Sequence, residues 1–383
     1  MGKPKIAIIH QQAYGLERVG GAEMVCLWAL EALKDDYEVT LIVPFAGTFM
    51  ERVDLLNAQY GTTFKAGDFT LRTFPRSTFF QKILTKLWAF RTYYFMNRVR
   101  SVVEEYDLMF STFNEMDFGK RGIQYIHYPM IASIPSKGLS GKIKLFYRKL
   151  MPVLFGYNKN RMLENISLTC SEWTSNDIRA IYPTLLDVVV VYPPVLKLAV
   201  PNAEKKSHSF AFVGRISPEK RIEEVIAICE GLRAVGHMIE LTIIGPTYRK
   251  EYARYIKSLI IGKEWIHMHG QADRKRLGEL LSTCSYAINC TRDEQFGIAL
   301  VEMIYAGCLP FVFDGGGQRE VVHRRKELMF SSLEQAVKSI QYVMTNEPLK
   351  HELLSDLSKH SELFSVEHYV LAIRNLVRTA LSS

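Results

Sequence analysis

The chain has 383 residues, of which 48% are apolar and 23% charged, with a formal charge of +8 and a pI near 9.0. That length exceeds one ordinary hydrophobic core and suits two domains. The composition excludes disordered and fibrous classes, no fixed-period repeat occurs, and no apolar run reaches the roughly 20 residues that span a bilayer.

The chain enters a strand pattern almost at once, Ile6–Ile9, with no signal-peptide pattern ahead of it, so a cytoplasmic location is expected. A loop with Gly15, Gly20 and Gly21 follows, then a helix over Ala22–Leu33 and a strand over Glu38–Val43. This β-loop-α-β unit seeds a parallel sheet. Between Phe69 and Val103 there is no acid, but Arg72, Arg76, Lys82, Lys86, Arg91, Arg98 and Arg100 occur; a second acid-free stretch runs from Phe118 to Leu163. In Arg76–Arg100 the basic residues alternate with Phe79, Phe80, Leu84, Trp88, Phe90, Tyr94 and Phe95. Lys142–Lys159 repeats the theme with Phe146, Tyr147, Leu150, Met151 and Phe155. Such segments either lie on an anionic membrane surface or form core helices with a basic solvated face. Nucleic acid is not expected, because no recognition motif accompanies the charge. Further strands are expected at Leu108–Ser111, Gln124–His127 and Ile166–Cys170.

The second half repeats the plan. Strands are expected at Ser209–Val213, Glu240–Ile244, Trp265–His269, Tyr286–Asn289 and Pro310–Phe313, each followed by helical sequence. Ser217-Pro218-Glu219 has the form of a helix start, with Ser217 as N-cap, and the helix should run to about Val235. Prolines near Pro193-Pro194 mark the join. The expected domains are 1–197, 198–365 and a helix over 366–383 that packs on either domain or crosses back to the first. The six cysteines include no CxxC pair and read as buried, reduced thiols.

Four motifs carry candidate chemistry. Glu294 lies in the loop before a helix from about Gly297, and Glu302 falls inside that helix. Phe296-Gly297-Ile298 would present backbone N–H groups where an anion can sit, or the two acids are simply solvated. Arg215 and Lys220 bracket the turn after a strand, where a helix dipole disfavours cations unless an anion such as a diphosphate is bound. Gly20-Gly21 ends the first loop, where ligands gather in open α/β sheets; a plain tight turn has the same form. His127 ends a strand and is placed either for hydrogen bonding and proton transfer or for structure. Gly315-Gly316-Gly317 follows another strand end. No GxGxxG, Walker, HExxH or GxSxG pattern is present, and no metal is expected.

Gly214-Arg215-x-Ser217-x-Glu219-Lys220 and Glu294-x-Phe296-Gly297-x4-Glu302 resemble, in order and spacing, the family 4 retaining glycosyltransferases of the GT-B fold. Glu294-Gln295-Phe296-Gly297-Ile298, Val301-Glu302-Met303 and Tyr125-Ile126-His127-Tyr128-Pro129 look most like the dolichol-pathway cytosolic mannosyltransferases. The resemblance implies two Rossmann-like doubly wound domains facing across a cleft. It implies hexose transfer with retention, mannose favoured, to a glycan or lipid-linked acceptor in glycan biosynthesis, at the cytosolic membrane face. The donor would be a nucleotide-sugar, GDP-mannose favoured with UDP-sugars on the same scaffold, and no cofactor would be needed. Arg215 and Lys220 would bind the donor diphosphate and Glu302 the ribose hydroxyls. Glu294 would contact the donor sugar near the reacting centre, and Phe296, Gly297 and Ile298 would offer backbone amides. Gly20 and Gly21 would lie against the diphosphate, and His127 near sugar and acceptor. A GT-B-like nucleotide-sugar epimerase and a non-catalytic nucleotide-sugar-binding protein are the alternatives.

Overall fold

The computed structural model describes residues 2–11, 20–44, 47–74, 88–131, 146, 149–185 and 187–382. The chain divides into two units, Met1–Pro194 with Val366–Ser383, and Val195–Ser365. The first crossing falls at Pro194/Val195 rather than at 197/198. Val195 bridges Ser365 and donates its N–H to Phe364 O at 2.9 Å, which places it in the second unit.

The first unit holds seven strands: β1 (Lys5–Ile9), β2 (Glu38–Val43), β3 (Thr70–Thr73), β4 (Leu108–Ser111), β5 (Ile123–Ile126), β6 (Ile166–Thr169) and β7 (Val188–Val190). They form one sheet in the order β3-β2-β1-β4-β5-β6-β7, every pairing parallel. Parallel strands covered on both faces carry continuous apolar runs, and Ile6, Ala7, Ile8 and Ile9 are all fully buried. The expected strand Gln124–His127 runs one residue earlier, so His127 lies just past the strand end. The helix Gly21–Leu33 follows β1. The C-terminal helix Val366–Ser382 buries Tyr369, Ile373 and Val377, one face at a four-residue spacing. Tyr369 Oη donates to Val25 O at 2.9 Å and Arg374 Nε to Ala32 O at 2.8 Å, fixing it to the helix Gly21–Leu33.

The second unit holds β8 (Lys206–Val213), β9 (Glu240–Ile244), β10 (Ile266–Gly270), β11 (Cys284–Asn289), β12 (Leu309–Phe313) and β13 (Met329–Phe330), ordered β10-β9-β8-β11-β12-β13 and again all parallel. Strand order reverses between β1 and β4 in one sheet and between β8 and β11 in the other. Ligands of open α/β sheets bind outside the carboxyl ends of strands at such points. All six cysteines are buried and unbridged.

The two basic segments behave differently from each other. Arg76–Lys86 lies outside the described residues, as do Lys142 and Tyr147. In the helix Trp88–Arg100, Tyr93, Phe95, Met96 and Val99 are core, and Phe90 and Tyr94 both pack edge-on against Phe155, so these four aromatic residues face inward. Arg100 and Arg161 converge on buried Asp117, and Arg72 pairs with Glu105. Part of the positive charge of this half is therefore neutralised within the unit. By contrast Phe146, Leu150, Val153 and Leu154 are exposed, at 67, 44, 78 and 61%.

Candidate functional site

In the second unit the site grows from the ends of β8 and β11. β8 ends at Val213, and Gly214 donates its N–H to Ile244 O at 2.9 Å. A β-carbon on Gly245, whose φ is 152°, would lie 1.8 Å from Gly214 O, so only glycine lets these two strand ends approach. The chain then makes a 3-10 turn, Pro218–Lys220, and Arg221 takes a left-handed conformation with φ 50° and ψ 47°. The helix begins only at Ile222 and ends at Ala234, not Glu219–Val235 as expected. Ser217 makes no capping bond; its hydroxyl contacts Arg215 O instead. The left-handed residue ends the first turn, and it leaves Lys220 outside the regular helix.

Lys220 Nζ donates to Glu294 Oε2. The Glu294 loop is held from beneath: Gly317 donates its N–H to Glu294 O at 2.7 Å, and a β-carbon on Gly316, at φ 68°, would meet that oxygen at 2.4 Å. Gln318 Nε2 donates to Thr291 O and Phe313 O, both at 2.8 Å. Arg292 reaches both oxygens of Glu224 and stacks over Phe313 at 3.5 Å. The Gly315–Gly317 turn thus buttresses the Glu294 loop. Gly297, at φ 109°, caps the helix Ile298–Tyr305. The N–H groups of Ile298 and Ala299 have no acceptor among the described residues, as the first turn of a helix dictates. The Phe296 ring is buried edge-on against Phe364.

Lys220, Glu294 and Gly297 are thus brought into one contact group, while Arg215 and Glu302 have other partners. Arg215 stacks over Tyr248 at 4.8 Å and pairs with Glu219 at 3.6 Å. Glu302 accepts from Arg274 at 2.9 Å. Burial raises the Glu302 carboxyl above its ordinary range, against the opposing pull of Arg274. The sequence assigns no role to Arg274, Arg292 or Gly245. Their partners are 28, 68 and 31 positions away, and no local pattern marks them.

In the first unit the ends of β1 and β4 carry buried polar groups. His10 Nδ1 and Thr112 Oγ1 lie 3.0 Å apart across the switch point. His127 Nε2 lies 3.2 Å from Thr112 O, and because a carbonyl only accepts, Nε2 carries the proton there. Burial lowers its pKa to about 4, so the ring is neutral near pH 7 and Nδ1 is an acceptor. Asn114, at φ 59°, accepts from the N–H groups of His127 and Tyr128 at 3.2 Å each. Gly20 donates its N–H to Tyr60 Oη at 2.9 Å. Gly21 is the first residue of the helix that follows. No group of three His, Cys, Asp or Glu side chains among the described residues could hold a metal ion.

Two parallel-sheet units of this kind define the GT-B fold class. Residues 197–361 match the family model of glycosyl transferases group 1. An Anabaena protein, HepE, solved in complex with UDP-glucose superposes with a TM-score of 0.67 at 14% identity, covering 98% of this chain and 100% of its own. Sucrose-phosphate synthase from Thermosynechococcus elongatus gives 0.68 at 14% identity over 99% and 100%. At that identity the likeness is one of fold. Among relatives in sequence are enzymes named GDP-Man:Man(3)GlcNAc(2)-PP-Dol alpha-1,2-mannosyltransferase. The one from Candida glabrata is 28% identical over 222 residues, 50% of this chain and 43% of that protein. The one from Dictyostelium discoideum is 22% identical over 90% of this chain and 77% of that protein. The chain thus spans less than half the length of the Candida relative. Among the described residues no helix is long and apolar enough to cross a membrane.

Proposed function

We propose that the protein is a retaining glycosyltransferase that moves a hexose, mannose favoured, from a nucleotide-sugar to a glycan or lipid-linked acceptor. The observation that carries this reading is the contact of Lys220 with Glu294 beside the open N–H groups at the start of the Ile298 helix. A cation and a helix N-terminus there suit a diphosphate; the adjacent carboxylate suits a polyhydroxylated sugar. The family match over 197–361 and the mannosyltransferase names of the relatives support the same class and favour GDP-mannose over UDP-sugars.

In this reading the bond between the sugar C1 and the diphosphate oxygen breaks, and C1 bonds to an acceptor oxygen on the same face. The acceptor proton passes to the departing phosphate. Lys220, Arg215 and the amides of Gly297 and Ile298 stabilise the negative charge that gathers on the leaving group, and each such preorganised donor is worth roughly 3 kcal/mol. Glu294 positions the sugar. Glu302 receives the ribose hydroxyls. His127, neutral near pH 7, accepts a hydroxyl hydrogen bond at Nδ1 rather than carrying a proton. The exposed apolar residues Phe146, Leu150, Val153 and Leu154, beside Lys149, favour a lipid surface as the place where the acceptor is met.

The test is to incubate the full chain with GDP-mannose or UDP-glucose, with and without a lipid-linked oligosaccharide acceptor. Nucleoside diphosphate released only when acceptor is present supports transfer. Sugar isomerisation without acceptor would replace it with the epimerase, and binding without turnover with the carrier.

A further inference from the structure

We propose that Arg274 is the positioning residue for Glu302, aiming its carboxylate at the donor's ribose hydroxyls from an anchor on the segment Leu196–Lys197. The inference rests on the donor reading above. Arg274 lies in the first turn of the helix Arg274–Ser282, where the dipole opposes a cation. A cation there calls for acceptors, and the guanidinium has them. Nη1 donates to Glu302 Oε1 at 2.9 Å; Nη2 donates to Leu196 O at 2.8 Å and lies 3.5 Å from Lys197 O. Among the described residues Arg274 is the only hydrogen-bond partner of that carboxylate, and Oε2 is left to accept from a ligand. One arm of the planar guanidinium binds the carboxylate and the other the backbone carbonyls, so the two acceptors are tied together through a group of fixed shape.

The anchor is itself held. A β-carbon on Gly278 of the same helix would lie 2.3 Å from Ala199 O, so the segment runs directly against the helix. Lys197 Nζ donates to Glu362 at 2.7 Å and stands over Tyr305 at 5.5 Å, one turn beyond Glu302. Carboxylate, guanidinium and backbone thus form one continuous chain of contacts.

The experiment uses calorimetric titration of the full chain with GDP and UDP, each beside its 2′,3′-dideoxy counterpart. The wild type is expected to prefer the ribonucleotide by about tenfold or more, the value of a hydrogen bond to a charged acceptor. Glu302→Gln loses that preference. Arg274→Gln is expected to lose it equally, and the double variant no further. Arg274→Gln that binds both nucleotides more weakly by one factor, keeping the preference, overturns the proposal. If that variant does not fold, Arg274→Lys keeps the charge without the fork, and an undiminished preference there overturns it equally. A wild type that binds neither nucleotide, or binds both alike, instead overturns the donor reading at Glu302.

Discussion

Lys220 and Glu294, 74 positions apart, form an ion pair in which the side chains are only 16% and 18% exposed. In the proposed reading a donor diphosphate competes with Glu294 for the ammonium group. Glu294→Gln therefore frees Lys220, and nucleoside diphosphate affinity is expected to hold or rise while kcat falls about 100-fold. Lys220→Ala is expected to weaken diphosphate binding about tenfold or more. Calorimetry beside steady-state kinetics checks both. Equal losses of affinity in the two variants would sink this account of the pair.

Gly245→Ala is expected to cost about 3 kcal/mol or more, from a left-handed φ together with a backbone clash. The added carbon would sit 1.8 Å from Gly214 O. Urea unfolding at unchanged m-value is the measure, and a loss under 1 kcal/mol would show that the two strand ends separate freely.

His127 makes a pH prediction. Its folded pKa is lowered by burial to about 4, below the ordinary 6.5, so between those values the unfolded chain binds more protons. Stability then rises with pH across that window and is lost as pH falls from 6.5 toward 4. Partial exposure of the ring limits the size to on the order of 2 kcal/mol. His127→Asn should flatten the acid limb of the Tm-against-pH curve by that amount. An unchanged limb would mean that the ring titrates normally.

Lys205 Nζ donates to three backbone carbonyls, of Leu281 at 3.1 Å, Cys284 at 2.7 Å and Ala306 at 2.5 Å. Leu281 lies in the last turn of the helix Arg274–Ser282 and Ala306 caps the helix Ile298–Tyr305, positions where carbonyls are short of internal donors. Lys205→Met should destabilise the Val195–Ser365 unit by about 2–3 kcal/mol, read by denaturant unfolding. A neutral result would mean that water replaces the ammonium at all three carbonyls.

Val153 and Leu154 are exposed at 78% and 61%. Replacing both by Glu should leave Tm within about 1 °C, as for surface changes generally. It should cut co-sedimentation with phosphatidylserine vesicles at low salt about tenfold. Wild-type protein that stays in the supernatant would remove the membrane part of the reading.

Much of the fold was legible in sequence because a buried parallel strand writes itself as a short apolar run. Ile6–Ile9, Glu38–Val43 and Pro310–Phe313 need no distant partner to be recognised. Short edge strands such as Met329–Phe330 carry too few residues to show a pattern. The turn after β8 misled for a different reason. Ser217-Pro218-Glu219 satisfies the local rules for a helix start, yet Arg221 interrupts it, and Lys220 is engaged with a residue from the far side of the sheet sequence.

The sequence alone determined the alternation of strands and helices, the glycine-bearing loops, and the order of Arg215, Lys220, Glu294 and Glu302, because hydrophobic period and backbone freedom are properties of neighbouring residues. Only the tertiary structure decided which charges meet. Lys220 finds Glu294, Arg274 finds Glu302, and Arg292 finds Glu224, since the strand order of a doubly wound sheet brings together loops and helices that lie far apart along the chain.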